Sequence, residues 1–246
     1  MKRTMALVLA SAAALGFATS GCETTREQAA KFAKSGNRAF RAQGLDVTAA
    51  NRSVSVVETS VITDANGSAV VAVLRNDGPR ALVNVPVEMV VRDAGGRATA
   101  RNDLPGLENG LTHVALLAPG RSVDWVNDQL SISGGRPARA ELTIGRGTDA
   151  PANVDDVRVE IEPGTRVEGD PASGLTAVGS VRNDSTVDQR GLVISCVARK
   201  GGRAVATGRA ILPSLAAGRR DTFHIYFIGN PSGAELDLTA QPTTFR

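Results

Sequence analysis

The segment VAVLRND at positions 71–77 returns as VGSVRND at 178–184. Two further pairs follow in the same order. VRDAGGRATA (91–100) is answered by ARKGGRAVA (198–206), and LLAPGRSVDW (116–125) by SLAAGRRDTF (214–223). The offsets are 107, 106 and 98 residues. Ordered matches at a nearly constant offset mark a duplicated unit. A repeat of about 100 residues is the usual size of an immunoglobulin-like sandwich. The third match places Trp125 and Phe223 at equivalent positions.

Within each copy the apolar residues alternate rather than recur at helical spacing. Short runs of Val, Ile and Leu are separated by Asp64-Ala-Asn-Gly67, Asn76-Asp-Gly-Pro79, Asp93-Ala-Gly-Gly96 and Pro105-Gly106. Runs of this length with turn chemistry between them predict an all-β sandwich or barrel. The first copy is expected to hold strands near 53–62, 68–75, 82–92, 97–101, 111–117, 121–126 and 138–144. The second opens on VRVEIE (157–162), with Val157, Val159 and Ile161 inward, and ends on strands at 223–229 and 234–240. Asn and Asp in the shared Arg-Asn-Asp favour the turn that follows the strand. The expected fold is all-β, two tandem immunoglobulin-like sandwiches over residues 46–149 and 150–246.

What precedes them has a different character. Met1-Lys-Arg-Thr4 is basic, and MALVLASAAALGFA runs apolar to Ala18. A basic start followed by roughly 7–15 apolar residues and then small ones is the layout of a secretory signal. A bilayer-spanning helix needs about 20. Thr19-Ser20-Gly21-Cys22 closes the run and resembles the bacterial lipobox, with Thr19 where that pattern usually has Leu. The resemblance implies cleavage after residue 21 and lipid on the Cys22 thiol. One acyl chain anchors only marginally, and two or three are enough.

Residues 22–45 form the tether. Ala29, Phe32, Ala33, Gly36 and Phe40 would make a narrow apolar stripe on a short helix. The tether is read as a spacer, the other reading being a basic helix lying on anionic lipid. Arg26, Lys31, Lys34, Arg38 and Arg41 against Glu23 and Glu27 give it +3. Of the formal +3 for the chain, Lys2 and Arg3 take two, so residues 46–246 carry −2. That balance offers no clustered basic face for nucleic acid. With Cys22 lipidated, Cys196 has no partner and reads as a small buried hydrophobe in the run Leu192–Val197.

The strand–turn segments VEMVVRDAGG (87–96) and VISCVARKGG (193–202) resemble those of bacterial FxLYD-type envelope domains. In place of the motif's aromatic, leucine and tyrosine stand Met89, Val91 and Arg92, and Lys200 takes the place of Asp93 in the second copy. The resemblance implies an extracytoplasmic binding or spacer module with no catalytic residues to carry over.

A search for chemistry supplies none. The chain has no G-x-S-x-G and no phosphate-cradling G-x-x-x-x-G-K-[ST]. His113 and His224 fall in or beside expected strands. Neither the histidines nor the methionines have metal-ligand spacing. Asp155 and Asp156 with Glu160 and Glu162 offer oxygens of the kind calcium takes, but the two glutamates are a strand's outward face. Aromatics at 3% argue against sugar stacking. The expectation is a lipid-anchored extracytoplasmic scaffold at the cell membrane or outer membrane. It would be attached through Cys22, contact an envelope protein partner, and use no cofactor, metal or catalysis. The alternative is a carrier of a small hydrophobic or envelope-polymer ligand. Candidate contact loops are 103–110 and 164–173.

Overall fold

The computed structural model describes residues 45, 47–104, 106–171 and 174–245. The leader 1–21, Cys22 and, apart from Leu45, the tether lie outside the described residues. The described chain is an all-β sandwich fold whose paired strands run antiparallel. Strands β1 (Val54–Asp64), β2 (Gly67–Asn76) and β6 (Ser122–Asn127) form one sheet. It faces a second sheet in which β3 (Leu82–Asp93) pairs with β4 (Ala98–Arg101), β5 (His113–Leu117), β7 (Pro137–Ile144) and β8 (Thr148–Asp149). The seven strands expected in this stretch are found, each end within two residues of the periodicity reading.

The later strands repeat the plan. Here β9 (Val159–Ile161), β10 (Arg166–Asp170) and β14 (Arg220–Tyr226) flank β11 (Gly174–Asn183). Opposite lie β12 (Gln189–Lys200), β13 (Arg203–Leu215), β15 (Ile228–Gly229) and β16 (Glu235–Ala240), in the order β15-β13-β12-β16. The single strand expected at 223–229 is divided. Phe227 lies between β14 and β15, and these two strands pair in different sheets. Within the expected loop at 164–173, Arg166–Asp170 is strand, pairing with the start of β11. Its uniformly exposed side chains gave no apolar alternation to read.

Each sandwich has its own aliphatic core. One gathers Val70, Ala72 and Leu74 of β2 with Val87, Met89 and Val91 of β3, and the other Ala177 and Val181 with Ile194, Cys196 and Phe223. The repeat persists in register: Ala72 stands opposite Trp125, and Gly179 opposite Phe223. Gly179 is needed there, since a Cβ would run into the Phe223 ring and the Thr165 hydroxyl.

A third apolar cluster joins the two sandwiches. Ile62, Ala69, Val71 and Val126 of the β1-β2-β6 sheet meet Val197, Ala204 and Ile228 of the β15-β13-β12-β16 sheet. Four sheets are therefore stacked, and β2 is covered on both faces. That is why five consecutive residues, Ser68 to Ala72, are buried. A strand covered on both sides reads as a continuous apolar run, not an alternation.

The shared Arg-Asn-Asp does more than turn the chain. Asn76 is fully buried and its Nδ2 donates to the carbonyls of Arg80 (2.8 Å) and Leu117 (3.0 Å), while its Oδ1 accepts from Gly78 N (2.9 Å). Asn183 repeats this with Val187 O (2.8 Å), Leu215 O (3.1 Å) and Ser185 N (3.2 Å). Each amide thus ties the turn after its strand to the end of a strand in the facing sheet. Replacing either asparagine by alanine leaves one buried and one part-buried carbonyl without its partner, at about 1–3 kcal/mol. Asn76→Ala and Asn183→Ala should each lose about 3 kcal/mol in urea unfolding. Asp77→Ala, which removes an exposed pair with Arg75, should lose under about 1 kcal/mol.

Candidate functional site

Where the two sandwiches meet, a cleft of about 270 Å³ opens beside the apolar cluster. Its lining comes from both: Glu108, His113 and Trp125 from one, Arg190, Arg209 and Gln241 from the other. The first wall depends on a difference between the copies. Strand β13 runs unbroken, but its counterpart is split into β4 and β5 by residues 102–112. The fall in repeat offset from 106 to 98 is this insertion. Buried Asn102 bridges the gap, accepting from Met89 N (2.7 Å) and donating to Val87 O (2.7 Å) and Leu111 O (2.9 Å). A 3-10 turn at Asn109–Leu111 follows, its Gly110 carbonyl accepting from the Trp125 indole at 3.0 Å.

The insertion brings Glu108 to Arg209. The Arg209 side chain is 2% exposed, with Nη1 3.1 Å from Glu108 Oε2 and Nε 3.0 Å from Asp128 Oδ1. Arg199 makes a second junction. Its Nη2 donates to both oxygens of Asp124 (2.8 and 2.9 Å), its Nε to Asp237 (2.8 Å), and Glu58 lies 3.7 Å away. Four carboxylates of the first sandwich therefore meet two arginines of the second. Burial pushes the Asp124 carboxyl above its ordinary range, and the Arg199 guanidinium holds it back. Burial also disfavours charge on Arg199, but Asp124, Asp237 and Glu58 outweigh it and hold its pKa above the ordinary value.

His113 is half-buried at the cleft, its Nδ1 2.8 Å from Thr112 Oγ1. Burial lowers its pKa, opposed by a hydrogen bond with the Asn109 backbone. His224 is exposed on β14. The two histidines are not brought together. Cys196 points into the second core, where burial pushes its thiol up to about 12. A thiol held protonated is no nucleophile. Asp155 and Asp156 lie in a 3-10 turn, whereas Glu160 and Glu162 are engaged by Arg182 (4.0 Å) and Arg220 (3.2 Å). Among the described residues no group of three His, Cys, Asp or Glu could hold a metal ion. Of the loop 103–110, Glu108, Asn109 and Gly110 line the cleft, and Cys22 lies outside the described residues.

No family model matches the chain, and no curated protein matches it. Among solved structures it is similar to red sea bream transglutaminase at 12% identity and a TM-score of 0.21, over 90% of this chain. The chain spans about a third of that protein's length, 34%. A likeness at this level identifies neither a shared fold nor a shared activity.

The arginines of the junction were missed in the sequence because each sits in a strand whose other residues explain the fold. The offset change at 98 was the available signal. Breaking one side of a buried ion pair costs about 3–5 kcal/mol, because the partner charges stay behind. Arg209→Met should therefore destabilise the protein by about 3 kcal/mol in urea unfolding. Arg75→Met, at an exposed pair with Asp77, should cost under about 1 kcal/mol.

Proposed function

We propose that this protein is a non-catalytic scaffold of the bacterial envelope, fixed to a membrane by lipid on Cys22. It would contact a protein partner through its two immunoglobulin-like sandwiches, which are of the FxLYD type. The observation that carries this reading is the order Thr19-Ser20-Gly21-Cys22 closing a basic-then-apolar leader. Small residues at 20 and 21 suit an extended backbone in a peptidase cleft, and a thiol at 22 suits thioether formation. The body is compatible with that role. Its cores are filled by aliphatic side chains, and Arg199 and Arg209 are engaged in joining the sandwiches.

Intact-mass analysis of the protein extracted from membranes, with and without Cys22→Ser, tests the reading. The expected wild-type species begins at residue 22 and carries added acyl mass that the variant lacks. A chain cut elsewhere and bearing no lipid would overturn the anchor.

A further inference from the structure

The strand register gathers one end of the first sandwich. Val54 pairs with Asn76, Arg75 with Ser122, and Leu82 with both Leu117 and Asp149, while Asn51 N donates to Ile144 O. The starts of β1, β3 and β6 and the finishes of β2, β5 and β7 therefore share this end. Its loops and strand ends carry Arg52, Arg75, Arg80, Arg121 and Arg146, all exposed. Two carboxylates stand among them. Asp77 is held by Arg75 (3.0 Å) and the Ser55 hydroxyl (2.7 Å), and Asp149 by Arg80. Arg52, Arg121 and Arg146 make no ion pair among the described residues. Arg52 and Arg146 line one shallow hollow, and Arg146 and Arg80 the next.

The β12–β13 turn of the second sandwich is not part of this surface: Gly229, paired with Ala206 beside that turn, donates to Asp64 at the finish of β1, whereas Gln241, just past β16, bonds to Leu116 near the finish of β5. The first-repeat turn is not a simple inheritance. Where it has Asp77-Gly-Pro-Arg80-Ala81, the second has Asp184-Ser-Thr-Val187-Asp188.

We infer that this arginine-rich end is a docking surface for an anionic phospholipid bilayer. The inference rests on the lipid-anchored reading, since it explains what faces the membrane when Cys22 is held there. Two observations select lipid as the occupant. The described chain enters at Val47–Asn51, where Val47 packs near Gly145 and Asn51 bonds to the finish of β7. Residues 23–45, which lead from Cys22 to that point, themselves carry +3. The body as a whole is acidic at −2, so the basic end is a local concentration of charge. Basic groups near an anionic leaflet each strengthen attachment, and the effect fades within a Debye length. Only the end that touches the membrane contributes.

The test uses the mature chain from residue 22 with Cys22→Ser, which carries no acyl group. It is sedimented with phosphatidylcholine vesicles that contain or lack phosphatidylglycerol. The combined Arg52→Glu, Arg121→Glu and Arg146→Glu variant is compared with Arg97→Glu, Arg101→Glu and Arg136→Glu, an equal charge change toward the opposite end. Binding should require phosphatidylglycerol and weaken with salt. It should fall roughly a hundredfold in the first variant and far less in the second. An unchanged unfolding midpoint would show that the first variant is folded. Equal binding by wild type and first variant, equal loss in both variants, or equal binding to both vesicles would overturn the inference. If arginine-dependent binding holds while the membrane protein carries no acyl mass, the anchor falls and the docking surface stands.

Discussion

A guanidinium that is 2% exposed is tolerated inside a protein only where its partners stay in place. Arg209 finds them, Glu108 and Asp128, in the other sandwich. The desolvation of three charges is repaid only by close, well-directed contacts, so this junction has little tolerance for sliding or tilting. Arg199, with both oxygens of Asp124 on one guanidinium nitrogen, sets a second fixed point. The apolar cluster of Val71, Val126, Val197 and Ile228 fills the same interface. Apolar burial gives such a contact its strength, but it is non-directional. The arginines supply direction.

Duplication explains much of the rest, and divergence explains the junction. Both copies keep the buried asparagine whose amide holds two carbonyls, and both place an aromatic opposite a small residue. They differ where they must meet. The first copy has the insertion that carries Glu108, Leu111 and the Trp125 contact. The second keeps β13 continuous, so Arg209 rises from a regular strand onto the shared face. Two identical sandwiches would present like surfaces to each other. These two present carboxylates to arginines.

Most of the fold was legible in the sequence. Alternation and turn chemistry located the strands of the first copy to within two residues. The Val/Ala-rich run at β2 was recognisable as strand, but its burial on both faces was not, because periodicity reports one covered face and the second arises only on stacking. Strand β10 was hidden since Arg166, Glu168 and Asp170 look like a loop without their pairing to β11. The junction was the least legible part. Arg199 and Arg209 meet carboxylates of the other sandwich 75 to 141 positions away in the chain, a relation that no local pattern encodes. The repeat offsets recorded the insertion without showing what it touched.

A rigid pair of sandwiches differs from two beads on a string in what it can present to a partner. It holds its outer sheets at a fixed separation. Scanning calorimetry of the mature chain tests whether the junction makes the pair one body. One transition with equal calorimetric and van't Hoff enthalpies is expected, separating into two when Arg199 and Arg209 are both replaced by methionine. Two independent transitions in the wild-type protein would contradict the account, because each sandwich would then be folding without reference to the other.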